Sequence, residues 1–135
     1  MLRRLVHFAA AAVGAMGWLC VVQPSPGAAE TATKIASSNP LSGAPEAIAA
    51  GERLYAKFCL QCHGAKADGV SPRWGRVGAD LRKFWRGYTE FVNIVAAGRP
   101  EKRMPPWGSV LDADQINQIG AYLETLASPG AKWTD

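Results

Sequence analysis

The stretch Cys59-Leu60-Gln61-Cys62-His63 carries the tightest chemical constraint in the sequence. Two cysteines separated by two residues, with a histidine directly after the second, form the C-x-x-C-H pattern that attaches a c-type haem. On one helical turn both thiols face the same way and can reach the two vinyl groups of one porphyrin. His63 then lies under the ring plane, where an imidazole nitrogen can bind iron as the proximal ligand. Two other chemistries use the same residue types. A structural zinc site takes about four Cys or His ligands. The chain offers only Cys20, Cys59, Cys62, His7 and His63, and Cys20 and His7 fall in a segment expected to be removed, which leaves the set one ligand short. A thioredoxin-like redox pair needs a βαβ context, but helical periodicity precedes residue 59 and a Gly-rich loop follows it. Haem attachment is the reading these residues support.

The removed segment is residues 1–29, read as a secretory signal peptide. Arg3 and Arg4 supply the positive start, and Phe8 to Val22 is an unbroken apolar run of 15 residues. That length suits a signal core and falls short of the ~20 residues needed to span a bilayer. Pro24 and Pro26 break the run, and Gly27-Ala28-Ala29 places small residues for cleavage after Ala29. Export implies a periplasmic protein with no stable membrane insertion after cleavage; the alternative is an uncleaved anchor holding the chain to a respiratory complex. Of the 15 Lys and Arg, Arg3 and Arg4 leave with the signal, so 13 basic residues face 11 acidic ones and the formal net charge is +2. Such a balance in an exported chain argues against nucleic-acid binding. The size is that of one small domain, and five Trp in 135 residues are bulky enough to wall a cofactor.

Three helices must position the chemistry. Residues 30–44 read as a flexible lead-in, with the folded domain at 45–135. Pro45 suits the first position of a helix whose apolar face is Ile48, Gly51, Leu54, Tyr55, Phe58 and Cys59. Gly51 in mid-helix costs about 1 kcal/mol against Ala, which points to a close backbone approach there. The loop at 64–80 shows no period, and the Pro72 region is the candidate acceptor for the second ring nitrogen of His63. A short helix fits Thr89 to Ala97, with Thr89 as cap, Phe91, Ile94 and Val95 inside, and Gly98 as stop. Asp112 and Gln115 form a capping box for the last helix, with Leu111 and Ile116 as staple. Ile116, Ile119, Gly120, Leu123 and Leu126 are its buried stripe, and Ser128-Pro129-Gly130 ends it. Met104 is the one methionine left after the signal departs. It stands between Arg103 and two prolines rather than on a periodic apolar face, so its thioether is the expected sixth ligand.

The pattern resembles the class I c-type cytochromes over roughly residues 45 to 127. Gly51, Tyr55 and Cys59 are similar to the family's first-helix pattern, Ile119-Gly120-Ala121-Tyr122-Leu123 to its last, and Met104-Pro105 to its axial-ligand loop. The loop at 64–80 departs from the family's commoner Gly-Pro-x-Leu arrangement. The resemblance implies an all-α fold of three main helices and loops wrapped round one covalent haem c. Cys59, Cys62, His63 and Met104 are then the cofactor-binding residues, His63 and Met104 the iron ligands, and no residue is catalytic. It also implies a single-electron carrier, and the run from Gly98 to Trp107 is similar to small cytochromes that serve quinoprotein alcohol dehydrogenases. The expected partners are such a dehydrogenase and a terminal oxidase. A haem-based gas sensor or peroxidase-like enzyme with a displaceable Met104 is the alternative. Residues 57–103 hold ten basic and four acidic side chains, a net of +6, which suits docking on an acidic patch.

Overall fold

The structure is a computed structural model that describes residues 36–135. The expected signal peptide and residues 30–35 lie outside the described residues. Helix α1 spans Pro45–Phe58, with Pro45 at its start, Glu46 in its first turn and Lys57 in its last. Proline lacks only an N–H that no partner would have met there, and both charges complement the helix dipole. A single-turn helix, α2, follows at Leu60–His63. Two residue pairs, β1 (Val70–Ser71) and β2 (Gly75–Arg76), then close a small antiparallel hairpin inside the loop expected to be irregular throughout. Helix α3 covers Tyr88–Ala97 and helix α4 Ala113–Thr125.

The capping box of α4 is formed: Gln115 N–H donates to Asp112 Oδ1 at 2.8 Å, and Asp112 N–H donates to Gln115 Oε1 at 3.1 Å. Leu111 and Ile116, the expected staple, are both buried. Helices α1 and α4 meet at Gly51. A Cβ there would stand 2.5 Å from the Gln118 carbonyl carbon and nearer still to its oxygen. Glycine at this position is therefore a condition of the helix contact, as its place in mid-helix suggested. One step along, the Tyr55 and Tyr122 rings lie with centroids 5.4 Å apart. Tyr55, Phe91, Val95, Ile116, Ile119 and Leu123 join in one core cluster, so the helix that ends in Cys59 is locked against the rest of the fold.

Two expectations are corrected. Thr89 does not cap α3, which begins one residue earlier with Gly87 in the cap position. The Asp135 carboxylate does that work from 46 positions away, accepting from Thr89 N–H at 3.2 Å and from its hydroxyl. A carboxylate suits the positive end of a helix better than a hydroxyl alone. The lead-in, expected to be flexible to residue 44, is fastened from Ser37 onward. Asp135 N–H donates to Ser37 O at 2.8 Å, and the buried Asn39 donates through Nδ2 to Asn117 O at 2.9 Å. Tyr88 hydroxyl bonds Asn117 Oδ1 at 2.7 Å, so one buried amide pair ties the lead-in to α3 and α4. Among the described residues, no helix is long and apolar enough to cross a membrane.

Candidate haem site

The motif is folded as one tight turn. Cys59 N–H donates to Tyr55 O at 2.9 Å, and Cys59 O accepts from Cys62 N–H at 3.1 Å and His63 N–H at 2.9 Å. Cys59 is half-buried, Cys62 is exposed, and both are free thiols. Burial, with a smaller contribution from Cys62, pushes the Cys59 thiol up to about 12.

His63 Nδ1 lies 3.1 Å from the carbonyl oxygen of Ala79. A carbonyl can only accept, so Nδ1 carries the hydrogen and Nε2 is left with its lone pair free for a metal. The acceptor is therefore Ala79, not the Pro72 region. The physical reason is Gly78: a Cβ there would lie 2.6 Å from Cys62 O and 3.0 Å from His63 Nδ1, and only its absence lets the returning chain reach the imidazole. Burial lowers the His63 pKa below its ordinary value, and the Ala79 bond opposes that in part. The imidazole is thus biased toward the neutral form that a metal requires.

Backbone and side-chain bonds close the loop around this point. Gly69 N–H donates to His63 O at 2.9 Å and Leu81 N–H to Ala67 O at 2.8 Å. Tyr55 hydroxyl donates to Gly64 O at 2.6 Å, and burial, then the nearby Cys59, raises its pKa well above the ordinary phenol value. Gly64 and Gly69 both have φ of +79°, a region open to glycine at no steric cost.

Met104 is placed by a different device. Arg99 and Met104 form an isolated antiparallel bridge, with N–H to O distances of 2.8 and 3.0 Å. Arg103 between them takes a left-handed φ of 63°. Beyond the prolines, Trp107 N–H donates to Val95 O at 3.0 Å and Gly108 N–H to Ala96 O at 3.0 Å, while the Trp107 ring meets Phe58 at 5.5 Å. Met104 and Cys59 are both half-buried and both packed on the same core cluster. His63 stands on the turn that Cys59 opens.

The donor set fits a covalent haem: two free thiols, an imidazole with a bare Nε2, and a thioether. Among the described residues no group of three His, Cys, Asp or Glu is placed to hold a metal ion. Ala79, Gly78 and the Tyr55 hydroxyl were not foreseen as parts of the site. One signal was present: Gly78-Ala79-Asp80-Leu81 keeps the Gly and Leu of Gly-Pro-x-Leu and changes only the proline.

The family model described as cytochrome c oxidase, cbb3-type, subunit III, matches residues 46–123. The chain belongs to this family of c-type cytochromes. Its cofactor is covalently bound haem c, its business is electron transport, and its architecture is the class I cytochrome fold. The cytochrome is 36% identical over 86 residues to the quinohemoprotein alcohol dehydrogenase ADH-IIG of Pseudomonas putida, a match covering 62% of this chain and 11% of the dehydrogenase. It is 30% identical over 87 residues to cytochrome c6 of Tetradesmus obliquus, covering 64% of this chain and 97% of that one. Among solved structures, cytochrome cL of the marine methylotroph Methylophaga aminisulfidivorans superposes with a TM-score of 0.54 at 26% identity, over 67% of this chain and 59% of the other. The cytochrome spans only about a tenth of the length of the P. putida dehydrogenases it matches, 11% of one and 12% of the other.

Proposed function

We propose that the cytochrome is a periplasmic single-electron carrier, not an enzyme, running between a quinoprotein dehydrogenase and a terminal oxidase. Cys59 and Cys62 form the thioether links, and His63 and Met104 bind the iron. The observation that carries this reading is the His63 Nδ1–Ala79 O contact of 3.1 Å, set beside two free thiols. That arrangement suits a proximal ligand of fixed tautomer and fixed ring direction.

Haem c supplies a one-electron ferric/ferrous couple, and a thioether partner favours the ferrous state relative to a second nitrogen ligand. The protein's part is to hold. Ala79 O orients the imidazole, Tyr55 fixes the turn after it, and the Arg99–Met104 bridge keeps the thioether loop closed. With His63 and Met104 both holding the iron, no place would be left for O₂ or peroxide, and no side chain would have to act as acid, base or nucleophile. The periplasmic placing rests on the N-terminal pattern. The dehydrogenase partner rests on similarity to the P. putida quinohemoproteins.

Acid–acetone extraction tests the attachment. Wild-type haem is expected to stay with the polypeptide, while Cys62→Ala is left with at most one link and a sharply reduced yield of folded protein. Full recovery of Cys62→Ala with extraction-resistant haem contradicts two attachment points. Docking through the basic middle of the chain predicts that electron transfer with the partner slows as ionic strength rises from about 0.01 to 0.15 M. A rate independent of salt contradicts the acidic-patch partner and leaves the carrier reading intact.

A further inference from the structure

Large apolar side chains that stand exposed are concentrated in one short segment. Of five such residues among the described ones, Val70 (40% exposed) and Trp74 (56%) belong to the β1–β2 hairpin and Val77 (37%) directly follows it. The hairpin holds them firmly. Val70 pairs with Arg76 and Ser71 with Gly75, and the buried Ser71 accepts through Oγ from Arg73 N–H at 3.2 Å and Trp74 N–H at 3.1 Å. Trp74 is therefore presented on a stiff turn, which lowers the ordering cost of binding through it.

Three cations of the same stretch are unpaired, as are Arg53, Lys57, Lys102, Arg103 and Lys132 elsewhere among the described residues. Arg82 and Lys83 pair with Asp80, Arg86 with Glu90, and Arg99 with Glu101. Lys66, Arg73 and Arg76 enter no ion pair among the described residues; Arg76 bonds only the Asp68 carbonyl, at 2.9 Å, and Arg73 lies over the Trp74 ring at 5.7 Å. The other exposed indole, Trp85, is covered by Arg86 at 4.6 Å, and that guanidinium is within 3.9 Å of Glu90. One surface Trp thus stacks with Arg73, a guanidinium in no ion pair among the described residues, and the other with a guanidinium already near a carboxylate. The hairpin's first residue adjoins the site: a Cβ on Gly64, the residue after His63, would lie 3.0 Å from the Val70 carbonyl carbon.

We infer that the 70–77 segment, with Trp74 as anchor, is a docking surface for a protein whose contact patch is acidic around an apolar centre. An exposed indole that becomes buried within a ring of charge-matched contacts is the usual form of a binding hot spot. Lipid is the less suitable occupant, since polybasic membrane segments carry about 4–8 cations and the hairpin offers only Arg73 and Arg76, preceded by Lys66 and Asp68. The inference rests on the electron-carrier reading and places its partner beside the His63 loop.

The test uses the full haem-loaded chain and a gold electrode bearing a mixed monolayer of carboxylate- and methyl-terminated thiols. Trp74→Ala is expected to bind the monolayer about tenfold more weakly than wild type. Trp85→Ala should stay within about twofold, and both variants should reduce ferricyanide in solution at the wild-type rate. Equal monolayer binding by Trp74→Ala and wild type, or equal losses in the two variants, overturns the assignment. Wild type unable to exchange electrons with ferricyanide counts against the carrier reading instead. Co-sedimentation of wild type, but not Trp74→Ala, with phosphatidylglycerol vesicles at about 0.15 M salt overturns a protein as the occupant and gives the surface to lipid.

Discussion

The two loops that present His63 and Met104, the proposed iron ligands, are held in opposite ways. Around His63 the chain is closed from within: Ala79 O reaches the imidazole, Gly69 N–H returns to His63 O, and the Tyr55 hydroxyl grips Gly64 O. Every one of these contacts depends on a missing side chain or a buried donor. Around Met104 the chain is held from its ends, by one bridge to Arg99 and by Trp107 leaning on α3 and α1. Between those anchors Pro105 and Pro106 are exposed. The proximal side is thus part of the core, while the Met104 side is a strap laid over it. A perturbation of the first should cost folding, and of the second, ligation.

The largest effect should come from Gly78→Val. A Cβ at that place meets backbone of Cys62 at 2.6 Å and cannot be relieved by a side-chain turn. Thermal or denaturant unfolding of the haem-loaded protein should show a loss of about 3 kcal/mol, with a fall in haem-loaded yield. A variant as stable as wild type would remove the close-approach account of the His63 loop. Tyr55→Phe keeps the ring against Tyr122 and deletes only the donor to a buried carbonyl, so about 2 kcal/mol should be lost with the oxidised spectrum unchanged. Wild-type stability in this variant would mean that the Gly64 bond contributes nothing. Smallest is Asp112→Ala, which removes the cap of α4 and should cost about 1 kcal/mol. A changed haem spectrum there would couple the α4 cap to the iron and contradict a purely structural role for Asp112.

What the sequence disclosed follows the same division. The motif at 59–63 and the Asp112–Gln115 box are local signals, written in side chains within a few residues of one another. The close approach at Gly51 was legible from a glycine in mid-helix, while its partner, Gln118 on α4, was not. The Ala79 contact is not a local signal, because its acceptor is a backbone carbonyl that any residue carries. Its trace was a Gly78 and a Leu81 at the right spacing, obscured by alanine where proline is commoner. The cap on α3 is not local either: Thr89 has the residue type for it, but the carboxylate that meets that helix comes from Asp135, far along the chain. Asn39 fastens a stretch whose polar, aperiodic composition reads as loose. Its anchor is a single amide, which periodicity does not register.

Carbon monoxide binding to the reduced protein, measured for wild type and Met104→Ala together, tests the central claim most directly. If His63 and Met104 hold the iron from both sides, wild type should show no CO spectrum. The variant should bind CO readily and have a lower reduction potential, since the ligand favouring ferrous iron is gone. Equal CO binding by the two proteins would contradict Met104 as the sixth ligand and turn the assignment toward a haem with an open face.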